Sequence, residues 1–144
     1  MTKLKHYVIK GDPIALARAR QTRGRFYDAQ KNLKLVWGIN LRNLHDDYGY
    51  FDGPIFMDVI FYMPIPKTAS QKKKCQLQDQ WHIFKPDSSN LLKFVEDVAT
   101  TISYKDDCII AKHCIEKVYD DGKGPRTEFI FSELKGRRNH RELI

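Results

Sequence analysis

The sequence has little that would crosslink the chain or anchor it in a bilayer. Three cysteines in 144 residues, Cys75, Cys108 and Cys114, are an odd number, which argues against a disulfide framework and suits a reducing compartment. Cys108, His113 and Cys114 do not supply the paired, short-spaced ligands of a structural zinc site. The thiols are therefore expected as small buried or half-buried side chains. The longest apolar run, Ile55 to Pro66, is interrupted by Asp58 and two prolines, so no helix here is expected to span a membrane. The opening residues MTKLKHYVIK carry base but no apolar region behind it, so no secretory signal is expected and the cytoplasm is the expected location. Internal repeats and low-complexity segments are absent too. What remains is 42% hydrophobic and 12% aromatic, enough to fill one core at a length that ordinarily builds one domain.

Acid is scarce relative to base. Against 18 Asp+Glu stand 25 Lys+Arg, a formal net charge of +7, and the excess is clustered. Lys3, Lys5, Lys10, Arg18, Arg20, Arg23 and Arg25 face only Asp12 between residues 3 and 25. Lys67, Lys72, Lys73 and Lys74 form a second cluster, and Lys135, Arg137, Arg138 and Arg141 a third. Basic clusters favour polyanions through counterion release; the charge alone serves solubility equally well.

Lys5 to Lys10 reads as a strand with Tyr7 and Ile9 facing one way. Residues 14–27 read as an irregular, arginine-bearing segment with Gly24 at a turn. From Asp28 a helical pattern places Leu33, Trp37, Leu41 and Leu44 on one face, weakened by Gly38, which costs about 1 kcal/mol relative to Ala. Ile55 to Met63 is a β-branched and aromatic strand. Residues 64–86 form a polar, basic connector too long to be structureless, with a short helix expected around Ser70 to Gln78. Leu91, Val95, Val98 and Ile102 mark the clearest helix, with Ser89, Asn90, Lys93, Glu96 and Asp97 opposite. Residues 108–119 and Thr127 to Ser132 read as strands, and the glycines of Asp120 to Pro125 suit a hairpin between them. This order predicts an α+β fold, a single two-layer domain with helices packed on one mixed sheet.

Chemistry concentrates in KPDSSNLLKFVEDV, residues 85–98, and YKDD, residues 104–107. Hydrolysing a phosphodiester near neutral pH needs a hard cation held by carboxylates and a cationic side chain beside the developing charge. Asp87 at the helix start, Lys93 on the helix and Asp107 before the next strand could compose such a site if the chain returns far enough. A helix from Ser88 to Ile102 would be about 22 Å long, and five residues return at most about 18 Å. A helix ending near Ala99 is about 18 Å long, and eight residues span up to about 28 Å. The site therefore requires the helix to stop early, which the β-branched Thr100, Thr101 and Ile102 allow. Taken singly, Asp87 is an ordinary N-cap, Asp106-Asp107 is turn chemistry and Lys93 is a solvated helix face. Trp37, Trp81 and the Phe and Tyr residues are read as packing, with base stacking the alternative for Trp81 or Phe84.

In their order, Lys85, Pro86, Asp87, Asn90, Lys93, Asp97, Asp106 and Asp107 resemble the signature of RusA-like Holliday junction resolvases, roughly K-P-D-x-D-N-x-x-K, an Asp four residues on, and a D-D pair. Arg18-Ala-Arg20 resembles the family's early R-x-R element, Tyr62 to Lys67 with Lys72 to Lys74 its basic connector, and Glu116 to Tyr119 the strand after the D-D pair. The resemblance spans roughly residues 6–134. It implies a RusA-like domain over residues 1–134, with 135–144 a mobile basic tail. It also implies a homodimeric endonuclease that uses Mg²⁺, or Mn²⁺ in its place, to nick four-way DNA junctions symmetrically. Asp87 and Asp107 would hold the metal, Lys93 would lie by the scissile phosphate, and Asp97 would orient Lys93. Arg18, Arg20, Lys72, Lys73, Lys74, Lys85 and Asn90 would contact DNA.

One position departs from the pattern. Where the family has its second carboxylate this chain has Ser89, a neutral and weaker ligand for a hard cation. Either Asp106, Glu96 or Ser89 itself completes the site, or the chain binds junctions without cutting well. A non-catalytic junction-binding protein is thus the second expectation, and a basic RNA-binding module the third.

Overall fold

Nine residues, Ile55–Met63, form the central strand β4 of the three-dimensional structure, a computed structural model that describes residues 2–17 and 20–137, with backbone alone at Arg20, Gln21 and Phe26. Their alternation decides which way the sheet faces. Ile55, Met57, Val59, Phe61 and Met63 are buried, and the residues between them are half-buried. Strand β1 (Leu4–Lys10) pairs antiparallel with β6 (Arg126–Glu133). β6 pairs antiparallel with β4, and β4 runs parallel to β5 (Ile110–Tyr119). The order is β1-β6-β4-β5, one mixed sheet.

Helices α1 (Lys31–His45) and α3 (Ser88–Ala99) pack together and cover the buried face, while α2 (Gln71–Leu77) stands apart in the basic connector. Between sheet and helices lie Tyr7, Trp37, Leu41, Leu91, Phe94 and Phe129. Trp37 stacks on Phe129 with centroids 6.0 Å apart and meets Phe94 edge-on at 5.6 Å, arrangements the aromatic quadrupole favours. One polar network is buried with them. His45 Nε2 faces the Gly49 carbonyl at 2.8 Å, so it carries the proton, and Nδ1 accepts from the Tyr7 hydroxyl at 2.6 Å. The Ser103 hydroxyl lies 3.2 Å from the same Tyr7 oxygen. Burial drives the Tyr7 phenol up to about 12 and holds the His45 imidazole below its ordinary value.

Five expectations are corrected. Residues 14–27 are not wholly irregular: β2 (Arg20–Thr22) and β3 (Arg25–Tyr27) form a small hairpin with Gly24 at φ +75°. The buried stripe of α1 is Trp37, Gly38, Leu41 and His45, whereas Leu33 and Leu44 are exposed, because the face opposite the sheet also carries apolar residues. Residues 120–125 do not close a hairpin. They carry the chain past the end of β4, where the Asp120 amide donates to the Met63 carbonyl at 2.8 Å. Six residues reach up to about 20 Å, ample to step over one strand at a spacing of about 4.8 Å. All three cysteines are exposed rather than buried, and so are Trp81 and Phe84.

Candidate active site

The turn that carries Asp87 is held against the outer edge of β5. Residues 79–82 run along that edge: the Tyr119 amide donates to the Gln80 carbonyl at 2.8 Å and the His82 amide to the Lys117 carbonyl at 3.0 Å. From β5, Lys117 Nζ then reaches the carbonyls of Phe84 at 2.5 Å and Pro86 at 2.7 Å. One ammonium thus fixes the backbone on both sides of Lys85. No local pattern could have singled out Lys117, because its acceptors lie more than thirty residues away in sequence.

Asp87 occupies the N-cap position of α3, and its carbonyl accepts from the amides of Asn90 at 3.1 Å and Leu91 at 3.2 Å. Its carboxylate makes no capping bond. It is exposed, with Lys85 Nζ at 3.4 Å. The ordinary N-cap role therefore leaves this carboxylate free for chemistry. Ser89 and Lys93 lie exposed on the first two turns of the helix, with Asn90 half-buried between them. The Leu16 amide donates to the Asn90 carbonyl at 2.9 Å, so the segment leading to the early arginines crosses the start of α3. Arg18 and the side chain of Arg20 lie outside the described residues, as do residues 138–144 of the tail.

The helix stops at Ala99, as the return to Asp107 requires. Three donors close its end on the Glu96 carbonyl: the Thr100 amide (3.1 Å), the Thr100 hydroxyl (2.9 Å) and the Tyr104 hydroxyl (2.9 Å). The chain then returns to a 3-10 turn, Asp107–Ile109, whose cap is the Asp106 carboxylate, accepting from the Cys108 amide at 2.9 Å. That bond, above all, holds the Asp106 carboxyl below its ordinary range. Asp106 is thus committed to turn chemistry.

Glu96, Asp107 and His113 form the more perturbed group. Glu96 Oε1 is 3.2 Å from His113 Nε2. Burial raises the Glu96 carboxyl; His113 opposes the rise, and the negative charge of Asp107 adds to it. Burial also raises Asp107, followed by its hydrogen bond with Asp106 and by the charges of Asp106 and Asp97. Carboxylates pushed up by one another are a mark of functional sites. Asp97 does not orient Lys93, contrary to expectation. It pairs with Lys34 of α1 at 2.8 Å, and Lys34 also holds Asp28 at 2.5 Å. Burial works against the charge on Lys34, but the two carboxylates outweigh it and raise its pKa.

The donor set decides whether a hard divalent ion fits. Among the described residues no three His, Cys, Asp or Glu side chains are grouped to hold one. Asp106 caps a turn, Asp97 is paired with a lysine, Glu96 faces an imidazole and Asp87 faces Lys85. This arrangement does not form an ion cage, and no catalytic step is derived through one.

Beside the turn stands the basic α2, begun by Ser70, whose hydroxyl accepts from the Lys73 amide at 3.2 Å. Lys72 and Lys73 are exposed and Lys74 half-buried. Lys73 and Leu77 share a groove of about 420 Å³ with His82, Phe84 and Tyr119, so this helix borders the loop before Asp87. That loop exposes Trp81 (65%), Ile83 (81%) and Phe84 (65%), an apolar tip between basic side chains. No helix among the described residues is long and apolar enough to cross a membrane.

Comparison with known proteins agrees with this arrangement. Protein YqaN of Bacillus subtilis (strain 168), an uncharacterized protein, is 28% identical over 137 residues, covering 89% of this chain and 95% of that protein. The family model of the endodeoxyribonuclease RusA matches residues 11–130. That span runs from the end of β1 into β6 and includes the Asp87 turn, α3 and Asp107. The chain belongs to the RusA endodeoxyribonuclease family.

Proposed function

We propose that the chain is a structure-selective endonuclease that resolves four-way DNA junctions by metal-dependent phosphodiester hydrolysis. Two copies nick paired strands symmetrically, in recombination and repair. The observation that carries this reading is the exposed Asp87 carboxylate, relieved of capping, on a turn that Lys117 fixes beside a basic helix. Asp87 and Asp107 are the proposed metal carboxylates, with Mg²⁺ or Mn²⁺ supplying Lewis acidity when bound, and Lys93 is the cation for the scissile phosphate. Lys72, Lys73, Lys74, Lys85 and Asn90, with Arg18 and Arg20, contact the strands. Trp81, Ile83 and Phe84 offer apolar surface to bases unstacked at the crossover.

Synthetic four-way junctions with Mg²⁺ or Mn²⁺ test this reading. Paired nicks are expected, with Asp87→Asn and Asp107→Asn each losing at least about a hundredfold in rate, the scale of one transition-state contact. Absence of paired nicks with either ion, and an Asp87→Asn variant that behaves as the parent does, would sink it. Ser89, with the missing three-donor group, favours a second reading in which the chain binds junctions without cutting. Tight, salt-sensitive binding with no cleavage, and cleavage gained in Ser89→Asp, would select that reading.

A further inference from the structure

Helix α1 turns an apolar ridge to solvent, and we infer that the ridge is the contact with a second, antiparallel copy of this chain. Val36 is 62% exposed and Ile39 59%, although both lie in the middle of a fifteen-residue helix whose other face is in the core. With the exposed Asn32 and Asn43 they stand at spacings of four, three and four, the seam of two helices packed along each other. Leu35 and Leu44, also exposed, flank it.

The occupant follows from the symmetry of the seam. About the midpoint between Trp37 and Gly38, Asn32 mirrors Asn43 and Val36 mirrors Ile39. A two-fold axis through that midpoint sets Val36 on the partner's Ile39 and Asn32 on the partner's Asn43. Apolar groups then meet at the centre, and amides that both donate and accept meet at the ends. Only an isologous contact makes use of such mirror symmetry. The charges agree with an antiparallel pair: the Lys31 end of one helix lies against the exposed Asp46-Asp47 end of the other, and the two macrodipoles oppose. A parallel pair would set like charges together at both ends.

This inference gives a place to the two-copy part of the function proposed above and rests on it, but not on cleavage. Sedimentation of the full chain from about 1 to 100 µM is the test, since a seam of this length is smaller than a standard interface of about 1,600 Å². A dimer is expected, and Val36→Glu and Ile39→Lys should each weaken it at least about tenfold while the circular dichroism stays that of the parent. Mixing the two variants should restore the dimer, because the antiparallel seam sets the new carboxylate of one against the new ammonium of the other. A parent dimer that neither variant weakens, or two weakened variants that do not recombine, overturns the seam and leaves the two-copy reading standing. A parent chain that stays monomeric overturns both.

Discussion

Tyr7 shows how one residue can hold three segments together. Its hydroxyl lies between His45 at the end of α1 and Ser103 after α3, in a site without water access. Tyr7→Phe leaves His45 Nδ1 with no donor, so a loss of about 1–3 kcal/mol is expected in urea unfolding; a loss below about 0.5 kcal/mol would show that the imidazole finds another donor. Gly38 makes the opposite prediction. A Cβ there would sit 3.8 Å from Val98 Cγ1 and from Ile102 Cδ1, ordinary contact with nothing displaced. Gly38→Ala should therefore raise stability by about 0.5–1 kcal/mol, the helix cost of glycine, visible as a higher melting temperature. Sequence made the glycine's cost legible; the space beside it emerged only when α3 was in place. Asp87 is the same kind of case. Its type and position announced an N-cap, and only the fold shows a carboxylate not used as one.

At the scale of elements, legibility followed locality. Strand β4 and helix α2 were readable because alternation, β-branching and a serine cap act within a few residues. The early stop of α3 was readable from three β-branched residues and the length of the return. The hairpin reading of residues 120–125 failed because glycines specify a turn, not which strands flank it. Lys34 and Lys117 escaped notice because their partners are distant in sequence. Lys117→Met should release the turn before Asp87, with faster amide exchange over residues 83–87 than in the parent and little change in the core strands. The loop after β5 has its own chemical lock. Arg126 holds Asp121 through two hydrogen bonds, at 2.9 and 3.0 Å, and lies 3.7 Å over the Tyr62 ring. Arg126 thereby lowers the Asp121 carboxyl to about 2. A depressed carboxyl stabilises the fold above its unfolded pKa of about 3.9. Its contribution is lost as pH falls from about 4 toward 2. Asp121→Asn should flatten the pH dependence of stability in that window and lower stability at pH 7.

At the scale of the whole molecule, the two proposed associations should respond to salt in opposite directions. The chain carries +7, so two copies repel, and screening should strengthen an apolar seam between them. Junction binding should weaken instead, its logarithm falling by about 0.9 per phosphate neutralised for each decade of salt. Sedimentation and junction titration across one salt series check both slopes. A self-association that falls with salt would identify an ionic contact rather than α1. Composition foretold the polyanion side of this balance. It could not foretell the self-complementary ridge, because apolar residues on a helix reveal which of them face out only after the sheet has claimed the others.

The strand order also sets a timetable for biosynthesis. β6 lies between β1 and β4, so the first strand made waits for the last before it can join the sheet, with Leu4 opposite Ser132. β5, meanwhile, closes on β4 across more than fifty residues. The helices have no completed surface to dock on until residues 126–133 emerge. The ribosome thus releases a chain that has still to fold, slowly for its size and with its apolar strands open to other nascent copies. A ribosome-stalled fragment ending before Arg126 should be digested by protease as an unfolded chain, whereas the complete polypeptide should resist.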